Sequence, residues 1–246
     1  MPGTLYLIPN TLGETAALDH VIPDHVQATT AQLAHFVAEN AKTARAFLKR
    51  VHAVHPLARP LQEIAITELN VNTKADALAG LLAPLRDGHD AGLLSEAGVP
   101  AVADPGADLV RLAHKEGIPV RPMVGPSSLL LAVMASGLNG QSFAFNGYLP
   151  TDAAARAKRL KELEQRSRVE KQTQLFIETP YRNGALLEAL AATCQPGTLV
   201  CVATDISLPS ESIRTQTAAQ WKSALAADRG PDFHKKPTVF LLLAAG

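Results

Sequence analysis

Short runs of consecutive apolar residues alternate along the chain with stretches whose apolar residues recur every three or four positions. The first pattern marks buried strands and the second marks helices with one apolar stripe. Strands are expected at Leu5–Ile8, Leu33–Val37, Ile64–Thr67, Ala91–Leu94 and Ile118–Val124. Helices are expected between them, over 42–51 with Ala46, Phe47 and Val51 on one stripe, and over 75–85 with Leu78, Leu82 and Leu85 at helical spacing. Asp104-Pro105 opens a further helix and Gly117 closes it, a polar cap with proline at the first turn and glycine past the last.

From Phe143 the alternation restarts, with helices over 153–169, 183–192 and 221–226 and strands at Gln174–Ile177, Thr198–Ala203, Ile213–Thr217 and Thr238–Leu243. Before it, Gly125-Pro126-Ser127-Ser128 opens a helix that ends near Gly137. Strands separated by helices predict α/β units with mainly parallel or mixed sheets. Pro122 and Pro126 bracket a short connector, which predicts two α/β domains, residues 1–122 and 123–246.

Composition adds mostly exclusions. A hydrophobic fraction of 47% with 19% charge in 246 residues suits two cores rather than a disordered chain. Lys+Arg and Asp+Glu both total 23, so net charge alone argues for no nucleic-acid, membrane or acidic partner. The N-terminus lacks a basic segment followed by an apolar one, and no apolar run approaches membrane-spanning length, which predicts a cytoplasmic protein. Cys194 and Cys201 read as reduced core thiols. No two glycines stand at i, i+2, so the dinucleotide GxGxxG turn cannot be built; a phosphate loop, HExxH, CxxC and a GxSxG elbow are also missing. The eight histidines are scattered, and no metal is expected.

Three loops remain that follow strands closely and are dense in backbone-shaping residues: Pro9–Glu14, Ser95–Pro100 and Gly125–Ser128. Ligands of open α/β sheets bind beyond the carboxyl ends of strands. Any one such loop is explained as a tight connection, but three on consecutive units point to a cofactor site.

The segments Gly3-Thr4-Leu5-Tyr6-Leu7-Ile8, Ser95-Glu96-Ala97-Gly98-Val99-Pro100, Ala103-Asp104-Pro105-Gly106, Gly125-Pro126-Ser127-Ser128, Phe145-Asn146-Gly147-Tyr148-Leu149-Pro150 and Phe176-Ile177-Glu178-Thr179-Pro180-Tyr181-Arg182 carry a resemblance. In that order they are similar to the tetrapyrrole-methylase superfamily, and most to its branch of ribosomal RNA 2′-O-ribose (cytidine) methyltransferases. The resemblance covers nearly the whole chain. It implies an S-adenosylmethionine (SAM)-dependent methyltransferase, a homodimer with SAM held in a cleft between two α/β domains, and RNA as acceptor. It also implies cofactor contacts from Leu12, Glu96, Val99, Ser127, Ser128, Ile177 and Thr204.

Two segments depart from the branch pattern. Its first loop, Thr-Pro-Ile-Gly-Asn, stands here as Asn10-Thr11-Leu12-Gly13-Glu14, and its Glu-Asp-Thr-Arg as Glu39-Asn40-Ala41-Lys42. A lysine cannot reproduce an arginine's two-pronged fork. Methylation of a small, tetrapyrrole-like molecule and SAM binding without catalysis therefore stand as alternatives to RNA methylation. A hydroxyl acceptor benefits from a general base. Glu14, Glu39, Glu96 and Glu178 are candidates, with Glu178 and Glu39, both at strand ends, assigned to the acceptor side. For Glu178 the competing role is an ion pair with Arg182, and for Glu39 a helix cap. Between Arg156 and Lys171 seven basic residues face three acidic ones, either a phosphate-binding surface or a solvated helix laced with ion pairs.

Overall fold

The computed structural model describes residues 1–70, 72–74 and 77–245. The chain divides into two units, Met1–Ser127 and Ser128–Gly246.

In the first unit, five strands, β1 (Leu5–Ile8), β2 (His35–Ala38), β3 (Ala65–Glu68), β4 (Ala91–Leu94) and β5 (Val120–Pro122), form one parallel sheet in the order β3-β2-β4-β1-β5. Both faces of the three central strands, β2, β4 and β1, are largely buried, which is why these read as near-continuous apolar runs. Successive side chains serve opposite faces: Ile8, Phe36 and Leu94 join one cluster with Val26, Phe47 and Leu48, while Leu5, Val37 and Leu93 join another with Leu82, Leu109 and Ala113. Helices α1 (Leu18–Val21), α2 (Asp24–Gln32) and α3 (Ala41–His52) cover the first face. Helices α4 (Leu78–Leu81), α5 (Ala83–Arg86) and α6 (Gly106–Lys115) cover the second.

The expected helix over 75–85 is two short helices here. Pro84 lies in the first turn of α5, where its missing N–H and its ring cannot continue α4. Ala75 and Asp76, its first two expected residues, lie outside the described residues. Helix α2 had no counterpart in the sequence reading, because two of its four buried residues, Gln27 and Thr30, are polar. Gln27 donates to the Ile22 carbonyl (2.8 Å) and Thr30 to that of Val26 (2.7 Å), so they enter the core with their donors satisfied.

In the second unit, β6 (Phe143–Tyr148), β7 (Thr173–Ile177), β8 (Leu199–Thr204), β9 (Ser212–Thr217) and β10 (Thr238–Leu243) form a mixed sheet in the order β6-β7-β10-β8-β9. Among these strands only β6 and β7 pair in parallel. Helix α7 (Ser128–Ser136) packs on one face, where Thr215 of β9 donates to the Ser136 carbonyl (2.7 Å). Helices α8 (Ala153–Glu170), α9 (Asn183–Thr193) and α10 (Ala218–Ala226) pack on the other, around Leu160, Leu187, Trp221 and the strand residues Phe176, Val202 and Phe240. Burying side chains of this size contributes about 1.5–3 kcal/mol each. Glu164 of α8 is buried too, and satisfies the Gln195 N–H (2.7 Å) and the Thr198 hydroxyl (2.5 Å) at the start of β8.

Helix α10 begins earlier than the expected Trp221, because Thr217 and Gln220 form a reciprocal capping box. Burial holds the thiol of Cys194 unreactive, raising its pKa to about 12, and raises that of Cys201 as well. Both cysteines are free and buried. Among the described residues, no helix is long and apolar enough to cross a membrane, and no group of side chains could hold a metal ion.

Candidate functional site

The register of the first sheet sets Ile8, Ala38 and Leu94 side by side, so the loops after β1, β2 and β4 share one rim. Asn10 ties two of them together. Its N–H donates to the Gly98 carbonyl (2.8 Å) and its side-chain amide to that of Glu96 (3.0 Å). Arg50, reaching over from α3, donates to the Thr11 hydroxyl (3.3 Å) and the Ala16 carbonyl, which fixes the first loop from outside. The result is a cavity of about 420 Å³ walled by Leu12, Gly13, Glu14, Phe47, Arg50 and Glu96, within the range of about 300–1,000 Å³ usual for small-ligand pockets. Two glycines keep the loops close. Gly98 has φ +68°, and a Cβ on Gly125 would stand 2.3 Å from the Pro9 ring.

Glu39 follows β2 directly, and its N–H completes the strand pairing through the Leu94 carbonyl (3.1 Å). It does not cap α3. Asn40 does, accepting from the N–H groups of Lys42 (2.9 Å) and Thr43 (3.4 Å), while Glu68 takes the N–H of Ala41 (2.9 Å). Asn40 thus supplies the capping oxygen an aspartate would supply, and Lys42 is exposed. The Glu39 carboxylate is left half-buried with one donor, the Glu96 N–H, at 3.3 Å from Oε2. Burial raises its pKa above the usual carboxylate range; the Glu96 N–H opposes that, and the charges of Glu96 and Asp104 reinforce it. Burial likewise raises Asp104, against the pull of the N–H groups of Gly106 and Ala101.

The second sheet has its own rim. Register places Ile177 beside Val239 and Thr204 beside Thr238, so the ends of β7 and β8 meet the start of β10. Thr204 is buried with its hydroxyl 3.2 Å from that of Thr238. Glu178, the next residue after β7, has a side chain only 1% exposed and an ion pair to Arg182 at 2.5 Å. Its Oε1 also accepts from the Thr179 N–H (2.7 Å), whereas Oε2 is buried with no partner among the described residues. Asn183 repeats the arrangement. Its amide donates to the Lys236 carbonyl (2.9 Å) and the Thr238 hydroxyl (3.1 Å), and its Oδ1 is buried and unpartnered. Two buried acceptors without donors, on residues five apart, are a costly arrangement for a protein to keep.

The first rim therefore brings together Leu12, Glu96 and Glu39, and the second Ile177, Thr204 and Glu178. Val99 is half-buried beside Gly98 but does not line the cavity. Ser127 is the last residue of the first unit, and Ser128 opens α7 in the second. The sequence reading passed over Asn10, Arg50 and Asn183. Asn10 directly follows a proline at a strand end and Asn183 a proline-led turn, a signal that could have drawn attention to them; Arg50 carried none.

These features sit on a chain with clear relatives. Residues 17–221 match the family model described as Tetrapyrrole (Corrin/Porphyrin) Methylases. The chain is 31% identical over 227 residues to a Ribosomal RNA small subunit methyltransferase I of Xylella fastidiosa, covering 92% of this chain and 77% of that protein. It is 33% identical to the protein of that name from Pseudomonas aeruginosa, over 77% of this chain and 60% of the other. It is 29% identical to the one from Escherichia coli O157:H7, over 86% and 68%. Among solved structures it resembles the methyltransferase CobJ, with TM-score 0.62 and 20% identity over 99% of this chain and 95% of that one. It also resembles the cobalt precorrin-4 methyltransferase CbiF, with TM-score 0.59 and 13% identity over 98% and 94%. These structures share the two-unit α/β fold. With the family model matched over most of its length, the chain is a methyltransferase and belongs to the tetrapyrrole (corrin/porphyrin) methylases.

Proposed function

We propose that the protein transfers the methyl group of SAM to a ribose 2′-hydroxyl of small-subunit ribosomal RNA. Its relatives carry the name of ribosomal RNA small subunit methyltransferases, which supports the RNA acceptor. The observation that carries the chemistry is Glu39. A ribose hydroxyl has to lose its proton as it attacks, and Glu39 is a carboxylate beside the loop cavity whose proton affinity burial has raised. A sulfonium methyl group is already activated, so carbon and nitrogen acceptors need a base far less.

The residues fit SAM. Its ammonium, ribose hydroxyls and adenine amine are all donors, and the orphaned Glu178 Oε2 and Asn183 Oδ1 are acceptors. Leu12, Glu96, Ser127, Ser128, Ile177 and Thr204, with the main chain of Val99, are the groups assigned to hold it. When bound, SAM supplies a methyl carbon made electrophilic by positive sulfur. Glu39 Oε1, free of the Glu96 N–H, takes the proton from the attacking hydroxyl. Glu178, held by Arg182, keeps one oxygen turned to the donors of the ligand and orients it. The working form is a cytoplasmic homodimer, in keeping with a ribosomal substrate.

The test is transfer of a labelled methyl group from SAM to small-subunit RNA, read after digestion to nucleosides. Label on a ribose oxygen is expected. Label in a small-molecule extract alone, or SAM binding by calorimetry with no transfer to any fraction, would overturn the reading.

A further inference from the structure

The sequence left the basic face of α8 as either a phosphate-binding surface or a solvated helix laced with ion pairs, and three of its arginines are engaged within the helix. Arg159 pairs with Glu162 (3.2 Å), Arg166 with Glu170 (3.2 Å), and Arg168 donates to the Gln165 side chain (3.1 Å). Arg214 and Arg229, which the sequence gives no reason to single out, are different. Neither has an ion pair or side-chain hydrogen bond among the described residues.

Both line a cavity of about 440 Å³ together with Gln216, Gln220 and Ser223. Strand alternation accounts for the arrangement. On the edge strand β9, Arg214 and Gln216 face α10, while Thr215 turns to α7 on the other side of the sheet. Arg214 lies over the buried indole of Trp221, 5.0 Å from the ring centroid, so its guanidinium plane is fixed while its N–H groups stay unused. Among the described residues, no carboxylate lines the cavity. Gln216 contributes an Oε1 that is buried and without a partner among the described residues.

From this cavity we infer that β9 and α10 form a docking site for the backbone of the RNA substrate, with Arg214 and Arg229 on a phosphate and Gln216 Oε1 accepting from a ribose 2′-hydroxyl. The inference rests on the RNA reading above and adds where the chain grips the acceptor strand. Two guanidinium groups without counter-ions match a phosphodiester, and a lone acceptor next to them matches the hydroxyl that RNA has and DNA lacks. A free phosphate satisfies the arginines but brings no ribose hydroxyl to Gln216.

The experiment is titration of the full chain with a small-subunit ribosomal RNA fragment at several salt concentrations, beside the DNA of the same sequence and inorganic phosphate. Arg214→Gln/Arg229→Gln should weaken RNA binding at least about tenfold and flatten the slope of log affinity against log salt by about 0.7–0.9 for each phosphate no longer neutralised. Arg214→Lys/Arg229→Lys should restore the slope, which rules out a mere folding defect. Gln216→Leu should narrow the preference for RNA over DNA with the slope unchanged. Arg159→Gln/Arg166→Gln on α8 should leave all three quantities at wild-type values. Wild-type affinity and slope in the Arg214/Arg229 double glutamine variant would overturn the site alone, as would tight binding of inorganic phosphate that fails to compete with RNA. If the wild-type chain bound and methylated no RNA, the site and the RNA reading would fall together.

Discussion

Glu39 and Glu178 stand at equivalent places, each the first residue past the carboxyl end of a strand, yet their surroundings make them different reagents. Glu178 is buried against the guanidinium of Arg182, which compensates its charge. Among the described residues, Glu39 is half-buried with no cation in contact, its only donor a backbone N–H, and with two acidic neighbours that favour its protonated form. A strand end puts a side chain at the rim of a sheet. Whether that side chain carries protons or fixes a ligand is decided by the counter-charge beside it.

The comparison is sharpest in turnover. Glu39→Gln should lower methyl transfer by about 10²–10⁴-fold, the usual weight of a general base, with SAM affinity nearly unchanged. Single-turnover rates and calorimetry on that variant measure the two effects separately. Equal loss in both would mean that Glu39 binds rather than deprotonates. Glu178→Gln should show the opposite balance. Losing a charge-assisted bond to Arg182, whose side chain is 35% exposed, should cost about 1.5–3 kcal/mol in a urea melt, with weaker SAM binding. A Glu178→Gln protein as stable as wild type and still tight for SAM would erase the distinction.

Asn40→Ala should destabilise by about 1 kcal/mol through loss of the α3 cap without abolishing transfer. That outcome separates the cap from the neighbouring proposed base. The smallest effect is on stability against pH. Because Glu39 is raised in the folded protein, its contribution is fully present below the ordinary carboxylate pKa and fades as pH rises through the raised value. Glu39→Gln should therefore melt slightly above wild type at pH 8, with the difference closing toward pH 4. A difference that grew on acidification would reverse the assigned direction.

The sequence made the sheets largely legible, since β1, β4 and β10 are unbroken apolar runs buried on both faces. It was silent where burial is polar, as in α2, or where a single proline divides one stripe, as between α4 and α5. The antiparallel pairing in the second unit was also hidden, because strand direction follows from which strand inserts between which, not from apolar pattern. Of the site, the loop residues could be read from their motifs. What stayed invisible was electrostatic: which arginine has found a carboxylate and which has not is a matter of three-dimensional distance. Charge counts therefore drew attention to α8 and none to the pair formed by Arg214 and Arg229.

The middle position of the last described strand has a temporal consequence. Residues 1–127 contain every strand of the first sheet, so that unit can complete itself as soon as it clears the ribosome. The second sheet cannot, because β10 lies between β7 and β8 and joins the β6–β7 pair to the β8–β9 pair. Until residue 243 emerges, β7 and β8 each wait with one bare edge, and an unpaired edge is a template for pairing with another chain.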